Sequence, residues 1–126
     1  NEGRLEKALP LYEKVYEANS TVHGADDIET LRSCRNLARM YMLNGRLQEA
    51  WQLQDTAYQR SLAKYGIEDD CTQDGIAGLA QIAYAQGDKE KARKLQQGVL
   101  DYHVAKFGRD DPWTKECVED MDKLSE

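Results

Sequence analysis

The sequence predicts an all-α fold: a right-handed superhelix of about six antiparallel helices, forming a single domain over residues 1–126. Two observations predict it. The first is a threefold internal repeat with a period of 42 residues, which is typical of arrays of short stacked units. The second is the spacing of apolar residues within each unit, which follows one face of a helix and not the alternation of a strand.

The repeat appears as columns of identical residues when the chain is superposed on itself at an offset of 42. It divides the chain into units 3–44, 45–86 and 87–126. Turn residues and apolar residues recur together in one register, which indicates a genuine structural repeat. Six columns are identical in all three units: Gly3/Gly45/Gly87, Ala8/Ala50/Ala92, Leu11/Leu53/Leu95, Gly24/Gly66/Gly108, Asp27/Asp69/Asp111 and Thr30/Thr72/Thr114.

Conserved spacing of glycine and aspartate marks the helix ends. A glycine such as Gly24 ends a helix, because a backbone of positive φ costs glycine least. The aspartate three residues later suits the N-cap of the next helix. Pro112 directly follows Asp111, at the first helical position, where proline is best tolerated. The predicted helices are 3–22, 28–43, 46–65, 70–85, 88–107 and 111–125.

The segment LARMYMLNGRLQEAWQL, beginning at Leu37, resembles the signature of the tetratricopeptide repeat, with a Leu-Ala pair, a Tyr, a Gly and an Ala at set spacings. The period of 42, with HGADDIET and FGRDDPWT between helices, resembles the subtype of kinesin light chains and of C-terminal arrays in fungal NOD-like signalling ATPases. The resemblance covers essentially the whole chain. It implies a non-catalytic scaffold of an adaptor or signalling protein, whose concave groove binds a peptide or a partner helix.

By the same resemblance, helices 28–43 and 70–85 line the concave side. Three arginines and one asparagine lie within about 100° of one another on the first of them. Arginine pairs with carboxylates in a bidentate manner, so this row suits an acidic peptide, although a solvated face that binds nothing is the alternative. Small residues on the second helix would leave room for a ligand backbone, or reflect sequence drift. The candidate partner-binding residues are Arg32, Arg35, Asn36 and Arg39, with Asp74, Gly78 and Gln81 at matching positions.

Composition opposes several other classes of function. The net charge of −6 opposes nucleic-acid or anionic-membrane partners, which require a basic face. No apolar run approaches the roughly 18 residues of a membrane span. Three scattered cysteines, Cys34, Cys71 and Cys117, indicate reduced thiols packed in or near a core, and hence a cytoplasmic location.

Catalytic and cofactor motifs are missing from the sequence. Cys71 has no histidine partner placed by the repeat, and neither His23 nor His103 lies at ligand spacing from a cysteine. The glycines are single residues spaced by the repeat and do not form a phosphate-binding loop. We therefore expect a protein that is not an enzyme and that has no catalytic residue, metal site or cofactor.

The two ends of the array differ in character. Helix 111–125 carries Asp122 where the other units have Ala38 and Ala80, which predicts a polar closing helix. Helix 3–22 has no preceding partner, and the chain starts at a repeat boundary without a methionine, which suggests a piece of a longer protein. An apolar edge there favours earlier repeats or self-association, so a structural or autoinhibitory region of a signalling ATPase is the alternative function. The apolar stripe predicted for the last helix is Trp113, Cys117, Val118, Met121 and Leu124.

Overall fold

The computed structural model describes residues 2–124, with side chains from residue 6 onward. Over this range the chain forms six α-helices, and each predicted boundary among the described residues lies within one residue of the observed one. Residue 125, at the predicted end of the last helix, lies outside the described residues. The helices are α1 (Glu2–His23), α2 (Ile28–Leu43), α3 (Leu47–Tyr65), α4 (Asp70–Ala85), α5 (Lys89–Phe107) and α6 (Pro112–Leu124).

The glycine and aspartate columns end and start the helices as predicted. The Asp27 carboxylate accepts a hydrogen bond from the backbone N–H of Glu29 at 2.9 Å, and Asp69 and Asp111 make the same contact two residues ahead. Each bond satisfies a backbone donor that has no partner inside the helix. The preceding glycines all have positive φ, between 84° and 90°. Local chemistry therefore sets the length of every unit.

Two members of the threonine column, to which the sequence pattern assigned no role, anchor the start of the second helix of their units. Thr30 is fully buried, and its hydroxyl donates to the carbonyl oxygens of Asn19 at 2.9 Å and Gly24 at 2.6 Å. The Thr114 hydroxyl donates to the carbonyl oxygen of His103 at 3.3 Å. These bonds tie the beginning of α2 and of α6 to the end of the helix before it. The Thr72 hydroxyl is buried without a hydrogen-bond partner.

Each helix packs against its neighbours in sequence, and α2 also contacts α4 directly. Within residues 2–124 no other pair of alternate helices is in such extensive contact. In a curved array the helices of the inner row lie closer together than those of the outer row. The contact between α2 and α4 therefore places them on the inner side, and we call α2, α4 and their counterpart α6 the inner row. Small residues permit the close approach between rows: Ala38, Ala50, Ala57, Ala80, Ala83 and Ala92 are all buried.

Burial at the two ends departs from the repeat pattern. In α1, Leu11 is 63% and Val15 is 51% exposed, whereas Ala57 and Val99, in the same column as Val15, are 0% and 3% exposed. The exposed edge predicted for the first helix is thus present. On α6 the predicted apolar stripe is only partly covered, because Trp113 is 54% exposed and Val118 is also exposed. Among the helices of residues 2–124, α5 is the one that packs extensively on α6, and the outward side of the stripe is not covered by any of them.

Candidate partner-binding groove

The predicted basic face of α2 is largely open. Arg32 and Arg39 are exposed, as is Asn36 between them. Arg32 makes an ion pair with Glu29 on its own helix, with 3.3 Å between Nη1 and Oε1. Arg39 forms no hydrogen bond and no ion pair with any described residue. Because an exposed ion pair within one helix is weak, both guanidinium groups can turn to a ligand.

Arg35 differs from the other two arginines. It is partly buried, and its Nη1 donates to the Cys71 thiol sulfur at 2.9 Å, which links α2 to α4. The Cys71 sulfur also lies 3.4 Å from the Ser61 hydroxyl. Burial raises the pKa of the nearby Asp74 carboxyl, and the Arg35 guanidinium opposes that rise. Arg35 therefore links α2 to α4 and favours the charged form of Asp74.

The three candidate positions on α4 do not share one environment. Asp74 and Gln81 are exposed on the inner row. Gly78 instead faces α3, since a Cβ atom there would clash with Nε2 of the Gln54 side chain. Gln54 is buried and donates to the carbonyl oxygen of Gly75 at 3.2 Å. Gly78 is small because Gln54 occupies the space beside it, so it leaves no room for a ligand.

A cavity of about 530 Å³ opens where the C-terminal ends of α2, α4 and α6 meet. Its wall is mostly apolar and combines exposed side chains such as Leu43 with a few polar groups. Pockets of this size and composition are typical of ligand sites. The side chains that define it are Met42, Leu43, Gln81, Tyr84, Lys123 and Leu124.

Of these lining residues, only Gln81 was among the candidates from the sequence. Leu43 and Tyr84 stand at helix ends, where an apolar residue resembles the last member of a core stripe. The spacing of these two residues in the sequence nevertheless indicated their place. Leu43 lies one helical turn after Arg39, and Tyr84 lies three residues after Gln81, so both extend the inner face already marked by the polar candidates.

The α6 side of the cavity carries one carboxylate, Asp120, and one ammonium, Lys123. Burial raises the pKa of the Asp120 carboxyl, the Glu116 carboxylate adds to the rise, and the Lys123 ammonium opposes it. Asp120 and Lys123 both line the cavity. Beyond the cavity, exposed arginines follow α2, and the exposed carboxylates Glu116 and Glu119 follow α6.

The cysteines and the potential metal ligands were also located in residues 2–124. All three cysteines are unpaired and buried. Burial, reinforced by nearby carboxylates, raises the pKa of the Cys117 thiol to about 11, which disfavours the reactive thiolate. Among residues 2–124 no group of three His, Cys, Asp or Glu side chains could hold a metal ion. No helix in this range is both long and apolar enough to cross a membrane.

Comparison with known families agrees with this architecture. A sequence profile of the tetratricopeptide repeat matches residues 1–63, half of the chain, and a second profile of the same repeat matches residues 76–112. The chain belongs to the tetratricopeptide-repeat family. Tetratricopeptide repeats are in general scaffolds for protein–protein interaction. A comparison with curated protein sequences finds no significant match.

Solved tetratricopeptide-repeat structures share the fold. A candidate kinesin light chain of Podosopora anserina with nearly identical TPR-like repeats superposes with a TM-score of 0.87 at 21% identity, and a point variant of that protein with 0.85 at 22%. BtubC (BKLC) from P. vanneervenii gives 0.82 at 16% identity. Each match covers 97% of this tetratricopeptide-repeat chain, which spans 58%, 57% and 49% of the three structures. The predicted likeness to kinesin light chains is confirmed at the level of the fold.

Proposed function

We propose that the inner row is a non-catalytic peptide-binding groove, in which an apolar side chain of a partner protein enters the cavity and an acidic residue pairs with α2. The cavity beside Leu43 carries this proposal, because its wall is mostly apolar and Leu43 lies one helical turn after Arg39 on α2. Arg39 has no partner among the described residues, so binding a carboxylate breaks no existing ion pair. The three buried, unpaired thiols support a reducing compartment, the cytoplasm, as the location.

Reversing two charges on α2 tests the groove. We expect Arg32→Glu with Arg39→Glu to weaken binding of a fluorescent peptide, in which glutamate pairs flank Ala-Leu-Ala, by about tenfold. Each exposed pair contributes roughly 0.2–1 kcal/mol, and reversal turns attraction into repulsion. Fluorescence anisotropy measures the affinity, and circular dichroism checks that the helices are retained.

Two further variants separate a groove from general charge attraction. Arg93→Glu with Lys94→Glu makes the same change in net charge on exposed positions of α5, outside the inner row, and should leave most of the affinity. Leu43→Asp should abolish binding, because it places a charge in the apolar wall. Undiminished binding by the α2 variant, or an equal loss in the α5 control, would show that the basic face is not the site.

Self-association is a second candidate function, supported by the uncovered face of α1. Leu11, Val15 and Val22 lie on one side of this helix and are all exposed. Light scattering across a concentration series tests it: we expect the mean mass to rise with concentration and Val15→Asp to keep the protein monomeric. A monomer at every concentration would rule out assembly through this face.

A further inference from the structure

The sign of charge reverses across the inner row. On α2 the inner face carries Arg32, Arg35 and Arg39. On α6 the positions 84 residues later, two repeats on, carry Glu116, Glu119 and Lys123. Asp120 lies between the last two, so three carboxylates and one ammonium occupy the face that holds three guanidinium groups on α2.

The carboxylates on the α6 side are close enough to act together. Burial is the largest cause of the raised pKa of the Cys117 thiol. The negative charges of Asp120, Glu116 and Asp74 are the next causes, in that order. Asp74 belongs to α4, so the negative region extends from α6 onto the neighbouring helix. Lys123 reduces this charge but does not balance it.

An aromatic ring stands beside the same acidic region. A smaller cavity, of about 240 Å³, is lined by Asp70, Asp74, His103 and Trp113. The Trp113 ring is more than half exposed and lies edge-on to Phe107, with 5.2 Å between ring centroids. Asp70 already pairs with the Lys106 ammonium at 3.3 Å, so Asp74 is the carboxylate that this cavity offers to a ligand. A carboxylate next to an exposed indole favours an ammonium or guanidinium group, through charge and through cation–π attraction.

We propose that the partner segment is bipolar: an acidic residue lies over α2, an apolar residue enters the main cavity, and a lysine or arginine lies over α6 and Asp74. This rests on the proposed function, since it describes the ligand of that groove. Because residues of both α2 and α6 line the main cavity, the acidic and basic residues of the ligand lie on opposite sides of the apolar residue that enters it.

Three labelled peptides with the same Ala-Leu-Ala centre test the charge pattern. The bipolar peptide has two glutamates before the centre and two lysines after it. Its isomer has one glutamate and one lysine on each side, and the acidic peptide has glutamates on both sides. At about 0.1 M salt, where surface charges still interact over roughly 10 Å, we expect wild-type protein to bind the bipolar peptide about fivefold more tightly than its isomer.

Charge reversal on α6 gives the diagnostic result. Glu116→Lys with Glu119→Lys changes two exposed residues and should weaken the bipolar peptide about fivefold, while it strengthens the acidic peptide by a similar factor. The matched control is Glu6→Lys with Glu90→Lys. It makes the same net change at exposed positions of α1 and α5, and should shift both affinities little.

The outcomes distinguish this inference from the function on which it rests. Equal binding of the bipolar peptide and its isomer, or an α6 variant that behaves like the control, overturns the bipolar ligand alone, provided that Leu43→Asp still abolishes binding. If no peptide binds, or if Leu43→Asp has no effect, the groove itself is wrong and the inference fails with it.

Discussion

Replacing Ala38 with aspartate is expected to remove a large part of the free energy of unfolding at neutral pH. Ala38 is 0% exposed, in the small-residue column through which helices approach closely. A carboxylate at this position is buried without a cation to pair with, which costs about 4 kcal/mol or more. Domains of this size are stabilised by only about 5–15 kcal/mol. Urea unfolding followed by far-UV circular dichroism should show a large fall in the midpoint, or no transition at all.

Two controls attribute this loss to burial. Asp122 occupies the same column on α6 and is exposed, so Asp122→Ala should leave the midpoint unchanged or raise it slightly. Ala18→Asp, at an exposed position of α1, should cost only the lower helix propensity of aspartate, about 0.7 kcal/mol. A mild effect of Ala38→Asp, similar to that of Ala18→Asp, would mean that the column is not a tight contact.

Gly66→Ala is expected to destabilise the protein by about 1–3 kcal/mol. Gly66 has φ 84° and ψ 172°, a region of backbone conformation that is essentially restricted to glycine. No atom lies within 4 Å of a Cβ built at this position, so the cost comes from the backbone and not from a clash. The change in urea midpoint at constant slope measures it.

Gly98→Ala, in contrast, is expected to stabilise the protein. Gly98 lies inside α5 with no positive φ and with nothing within 4 Å of an added Cβ atom. Alanine should therefore stabilise the helix by about 0.5–1 kcal/mol. If both alanine variants shift the midpoint in the same direction, the positive φ of the Gly66 turn is not what demands glycine there.

The candidate site was predictable only in part. Arg32, Arg39 and Gln81 are exposed on the inner row, as the helical spacing indicates. Arg35 has the same periodicity, yet it donates to the Cys71 sulfur, because α4 places an acceptor there. Gly78 faces the Gln54 side chain. Periodicity places a residue on a face of its helix, but it does not say what the neighbouring helix presents opposite to it.

The sequence by itself determined the helices, their boundaries and their register, because glycines of positive φ, aspartate caps and apolar spacing act within a few residues of chain. The tertiary structure decided which members of a column are covered. Leu11 is exposed and Leu53 partly buried although they occupy the same column, since α3 has inner-row helices on both sides and α1 has one on only one side. The main cavity likewise exists only where the ends of three helices meet. The burial of a residue depends on how many helices lie next to its own, and a repeated sequence does not indicate that number.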